Sequence, residues 1–63
     1  MPNKPIRLIR LKEVLAMTGL SRSGVYRSIE NQQFPKQVSL GDRAVAWVES
    51  EVQAWLVDRV VSR

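Results

Sequence analysis

The 63-residue sequence contains no cysteine and no histidine, and its ten lysines and arginines outnumber six acidic residues to give a formal net charge of +4. Disulfides are thereby excluded, as is a structural zinc site built on its usual ligands. A chain this short buries only about 60% of the surface its unfolded form exposes, which leaves room for one domain with one compact core.

Apolar residues at 44% are enough for a folded core and too many for a disordered tail. No apolar run approaches the length of about 20 residues that a membrane span needs, and the start MPNKPIRLIR lacks the apolar centre of a secretion signal, so a cytoplasmic protein with no membrane partner is expected. The positive balance favours a polyanionic partner, nucleic acid first, although many small soluble proteins are basic for solubility alone.

In chain order, residues 1–5 carry two prolines and an asparagine and read as a frayed terminus. Ile6 to Leu11 alternates apolar and basic residues, Ile6 and Leu8 against Arg7, which suits a short extended segment. Leu11, Val14, Leu15 and Thr18 then fall at helical spacing and Gly19 offers a stop, predicting a first helix over 11–18. Glu13 suits the positive end of its dipole, but no good capping side chain precedes it. Leu20 can plug the elbow and Ser21 can cap a second helix running to about Asn31, with Val25 and Ile29 as its inner stripe and Phe34-Pro35 as its terminator. Val38 and Leu40 alternate, Gly41-Asp42 supplies a turn, and Val45 and Trp47 alternate again, which predicts a hairpin or wing over 36–48. Val52, Trp55, Leu56, Arg59 and Val60 return to three-and-four spacing, so a closing helix is expected over 49–61.

These elements predict a single domain, mainly α with a small β-hairpin, in which residues 11–31 form a helix-turn-helix. Glycine releases the first helix, leucine anchors the elbow and serine caps the second. The same chemistry serves any helical hairpin, so the outer surface has to decide the function. With Val25 and Ile29 turned inward, Arg22, Ser23, Tyr26 and Arg27 project along the first two turns of the second helix, the part of a recognition helix that meets base edges. Arginine bonds bidentately to guanine O6 and N7, while serine and tyrosine hydroxyls reach phosphates or base edges. Lys36 before the hairpin and Arg43 at its tip stand where a winged domain reaches the backbone or the adjacent minor groove. For Lys36, blunting of a strand edge explains the charge equally well.

Phe34, Trp47 and Trp55 are possible stacking platforms for single-stranded bases, but each lies in an apolar alternation or stripe that so small a domain needs for its core, and Met17 is read as packing in the same way. With no histidine, cysteine or glycine-rich phosphate loop, and with its carboxylates scattered among basic neighbours, the chain is expected to be no enzyme and to hold no cofactor or metal. A rival reading makes it a protein-interaction module whose basic helix docks on an acidic partner such as a recombinase or a toxin.

The string RLKEVLAMTGLSRSGVYRSIE followed by FPKQVSLGDRAVAWVESEVQAWL, from Arg10 to Leu56, resembles the AlpA family of small phage and prophage regulators. The TGLS, YR and FP motifs, a glycine-tipped wing and EV-x-x-WL carry the likeness. It implies a winged helix-turn-helix of MerR-like and excisionase-like type, and a DNA-binding regulator of a mobile element that acts in transcription, in excision as a directionality factor, or in both. An integrase or RNA polymerase and further copies of the protein on adjacent sites are the partners it suggests beside double-stranded DNA. Its DNA-facing positions correspond to Ser21, Arg22, Ser23, Tyr26 and Arg27 in the recognition helix and Arg43 in the wing. Two departures stand out: Gly24 occupies a place where the family commonly has threonine or serine, and Asn31-Gln32-Gln33 one where a lysine and a glycine are expected.

Overall fold

A computed structural model describes residues 6–63, so the expected fraying of residues 1–5 lies outside the described residues. In chain order the elements are β1 (Leu8–Ile9), α1 (Leu11–Thr18), α2 (Arg22–Glu30), β2 (Val38–Ser39), β3 (Val45–Val48) and α3 (Glu49–Val61). The strands form one antiparallel sheet in the order β1-β3-β2. Leu8 pairs with Val48 and Ile9 with Trp47 on one side of β3, and Val38 pairs with Ala46 and Ser39 with Val45 on the other. The architecture is a winged helix-turn-helix whose wing is completed by a third strand from the N-terminal segment.

That strand falls within the expected extended segment and adds to the expected hairpin. The extended segment at 6–11 is paired, so the sheet is larger than a hairpin, and its buried residue is Ile9 at 1% exposure, whereas Ile6 and Leu8 face solvent. Alternation fixes which residues share a face but not which face is covered, and here the pairing of Ile9 with Trp47 decides it. In β3 the neighbours Ala46 and Trp47 are both fully buried although successive side chains point to opposite faces. Both α1 and α3 pack on this strand, so it is enclosed on two sides.

Local chemistry explains where the helices begin and end. At the start of α1 the Glu13 carboxylate accepts from the Arg10 backbone N–H at 3.2 Å, substituting for a missing side-chain cap. At its end Gly19 adopts φ 75° and donates its N–H to the Leu15 carbonyl at 2.9 Å. This is the left-handed conformation that glycine takes without a Cβ penalty. Thr18 steadies the elbow by donating its hydroxyl to the Val14 carbonyl at 2.8 Å and accepting from the Leu20 N–H at 3.2 Å. Ser21 then caps α2, its Oγ accepting from the Gly24 N–H at 3.0 Å.

The terminator of α2 is Gln32 rather than Phe34-Pro35. Asn31 caps the last turn, and Gln32 takes φ 60° and donates to the Ile29 carbonyl while Gln33 donates to the Ser28 carbonyl at 2.8 Å. The pair of bonds is a Schellman ending with glutamine where glycine is usual. The turn of the wing also differs. Residues 40–44 make the connection, closed by the Leu40 N–H on the Ala44 carbonyl at 2.7 Å and by the Ser39 hydroxyl on the Gly41 carbonyl at 3.1 Å. Gly41 and Asp42 thus sit inside a longer loop instead of forming a two-residue turn.

Ile9, Val14, Val25, Phe34, Trp47 and Val52 form the core, with Leu11, Leu15, Met17, Leu20, Tyr26, Ile29, Val45, Trp55 and Leu56 packed around it. All three aromatic residues suspected of stacking on bases are therefore in or against the core. Trp55 also ties α3 to the exit of α2, donating its indole N–H to the Gln33 carbonyl at 2.6 Å and meeting the Phe34 ring edge-on at 4.9 Å. The Arg59 guanidinium covers the Trp55 ring at 4.9 Å from its centre. Arg59 thus lies beside the packing stripe, whereas Val60, assigned to that stripe by spacing, points to solvent.

Candidate nucleic-acid interface

The core takes one flank of α2, burying Val25 and half-burying Ile29, and leaves the opposite flank open. Ser23, Arg27 and Glu30, spaced four and three residues apart, lie along that flank and are exposed, and Arg22 is exposed at the first helical position. Gly24 is half-buried, and a Cβ added there would lie 3.2 Å from Ser21 Oγ and 3.9 Å from Leu20 Cβ. A side chain at 24 therefore stands close to the serine oxygen that caps the helix and otherwise meets only ordinary contact with Leu20.

The sequence-selected residues divide into four settings. Arg22, Ser23 and Arg27 share the open start and flank of α2. Ser21 is exposed directly before them, but its oxygen already accepts from the Gly24 N–H, so its first task is to hold the helix terminus. Tyr26 is half-buried and stands edge-on to the Trp47 ring, centroids 6.3 Å apart, which makes its ring a link between α2 and β3. Lys36 lies exposed in the segment entering the wing, and Arg43 is exposed in its 40–44 loop.

Charge is segregated along the chain. Among the described residues the ion pair present is Arg7 with Glu49, at 3.6 Å, and Arg22, Arg27, Lys36 and Arg43 have no carboxylate partner there. Three of the six acids, Glu49, Glu51 and Asp58, belong to α3. Glu49 and Glu51 suit the positive end of that helix. On α2 the one acid is Glu30, in the last turn, away from the capped N-terminus.

Lys12 was not singled out by sequence reasoning, yet it is exposed in the first turn of α1, just after β1. In a helix-turn-helix the first helix crosses the DNA backbone, so a lysine on its solvent face was the available signal. No helix among the described residues is long and apolar enough to cross a membrane.

Residues 7–60, which run from before β1 into the last turn of α3, match the family described as prophage CP4-57 regulatory protein (AlpA). The chain is similar to the uncharacterised protein ORF88 of enterobacteria phage P4, with 49% identity over 57 residues covering 90% of this chain and 65% of that protein. It thus spans a little under two thirds of the length of that relative. It is also similar to the DNA-binding transcriptional activator AlpA of Escherichia coli strain K12, with 33% identity over 60 residues and 86% coverage of each. By this match over nearly its whole length, the chain belongs to the AlpA family of phage and prophage regulatory proteins.

Proposed function

We propose that this protein is a sequence-specific duplex-DNA-binding regulator of a phage or related mobile element, with α2 as the helix that enters the major groove. The observation that carries the reading is the open face of α2. Arg22, Ser23 and Arg27 are exposed and unpaired beside a serine-capped helix start, while packing occupies only the Val25 and Ile29 flank. The phage P4 relative and the DNA-binding activator support the same conclusion.

Arg22 and Arg27 read base edges from the first two turns, Ser23 and Ser21 add hydroxyl contacts to phosphates or bases, and Tyr26 sets the depth of the helix through its seat on Trp47. Arg43 in the wing loop and Lys36 at its entrance engage the neighbouring backbone or minor groove. α3 braces the other elements without touching bases. A module of this size covers roughly 600 to 1,000 Å² of its surface on DNA, so selectivity comes from several copies or from bent DNA. Bending adjacent sites gives a protein without catalytic groups two outputs in the cytoplasm: it alters access of RNA polymerase to a promoter, or it brings the DNA arms of an integrase together for excision.

Mobility-shift titration of duplexes selected by the protein from a random-sequence library tests the assignment. Arg22→Ala or Arg27→Ala should weaken the preferred duplex by about 1 to 3 kcal/mol and relax its sequence preference. Titrations that match the unsubstituted protein for both variants overturn the role given to α2, and failure of any duplex to bind favours the acidic-partner reading. Footprinting then separates the outputs: protection over a promoter means transcription control, and protection of repeats beside an attachment site means excision.

A further inference from the structure

The last two turns of α3 expose apolar side chains that the fold does not use. Val52, Trp55 and Leu56 face the core, whereas Val57, Val60 and Val61 retain 60%, 56% and 76% of their accessible surface. The same outer face continues toward the helix start through Ser50, Gln53 and Ala54, all exposed and none charged. Charged residues make up 25% of the chain, so an uncharged ladder along a 13-residue helix is a distinct surface. The three valines together present on the order of 300 Å², the size of the largest apolar patch on many monomers and often a functional one.

We propose that this face of α3 is where two copies of the chain meet when they occupy neighbouring DNA sites, as an antiparallel pair of α3 helices related by a two-fold axis. The proposal rests on the reading of the protein as a duplex-DNA-binding module. The occupant follows from the chemistry of the surface and from its size. An uncharged apolar strip presents no charge for an acidic or basic partner to match and is complementary to itself, as a two-fold contact requires. About 600 Å² buried between two copies falls short of the roughly 1,200 Å² of a stable complex, so the contact forms only where something else holds the copies together. Adjacent sites on one duplex do so, because tethering raises the effective concentration to about the millimolar range. A two-fold contact also fixes the arrangement of the sites, which must be inverted repeats rather than direct ones.

The test uses a duplex element selected by the protein from a random-sequence library, placed once, as an inverted pair or as a direct pair, each pair over a range of spacings. Native protein should fill an inverted pair at a favoured spacing about tenfold or more tighter than it fills a single element, with no such gain on direct pairs. The combined variant Val57→Gln, Val60→Gln and Val61→Gln adds no charge and keeps good helix formers in place. It should bind the single element within about twofold of the native protein, show the native circular dichroism, and lose the gain on the inverted pair. Native protein that fills all pairs independently, or a glutamine variant that keeps the full gain, overturns the proposal. A native protein that binds no single element overturns instead the DNA reading on which it stands.

Discussion

Gln32 holds the one left-handed non-glycine backbone among the described residues, at φ 60°. A Cβ in this region crowds the following carbonyl, a penalty glycine escapes. The Schellman bonds from Gln32 and Gln33 are nevertheless made, and the Gln33 carbonyl accepts the Trp55 indole N–H, so α3 helps to keep the strained turn in place. Gln32→Gly should therefore raise stability by roughly 0.5 to 1 kcal/mol, seen as a higher urea midpoint with unchanged m-value. A lower midpoint would mean that the glutamine side chain makes a contact worth more than the backbone penalty. Gly24, by contrast, has helical geometry and needs no glycine; its half-buried place over Ser21 Oγ sets only how large a side chain α2 tolerates there. Tyr26 shows the limit of reading a face from spacing alone, because an aromatic ring at the edge of a buried stripe leans toward a larger one when it can, and here Trp47 is within reach.

The elements differ in what they hold rigid. α2 is fixed at both ends, by Ser21 at its start and by the Trp55 clamp beyond its exit, so its arginines project from a stiff support. The wing is pinned less: β2 has two residues, both exposed, and its loop is tied by the Leu40 and Ser39 hydrogen bonds. An exposed arginine on such a loop suits phosphate contact better than base reading. Arg43→Ala should thus weaken all duplexes alike and reduce the slope of log affinity against log salt by about 0.9; an unchanged slope with altered sequence preference would assign Arg43 to bases. The three helices and the elbow were legible because 3.6-residue periodicity, a glycine stop and a serine cap are local signals. Two things were not. β1 has two residues, and neither its pairing nor the burial of Ile9 in place of Leu8 is specified until Trp47 lies opposite. The end of α2 near Asn31 was legible but its terminator was not, because the turn rests on a glutamine in a conformation its type does not favour, and the proline after Phe34 drew attention to a later position.

Over the whole molecule, the residues proposed to meet DNA and those that hold the core are separate sets. The arginines of α2 and of the wing are exposed and contribute little to folding, whereas Trp47 is fully buried at the centre of the sheet, opposite Ile9 and against Tyr26. A 63-residue chain without cysteine has a net stability of roughly 3 to 9 kcal/mol. Removing a buried tryptophan side chain costs about 3 to 5 kcal/mol. The indole N–H of Trp47 is buried without a partner, which returns a part of that cost when the ring is deleted. Even so, Trp47→Ala should remove several kcal/mol, a large fraction of the total, seen as a steeply lowered thermal midpoint by circular dichroism, while Arg22→Ala and Arg27→Ala stay within about 0.5 kcal/mol of the native protein. This contrast also decides whether the aromatic residues touch nucleic acid. If Trp47 stacked on single-stranded bases, its alanine variant would remain folded and lose single-strand binding alone; a residue that anchors β1, β3 and α2 together cannot be removed without losing the platform on which the arginines stand.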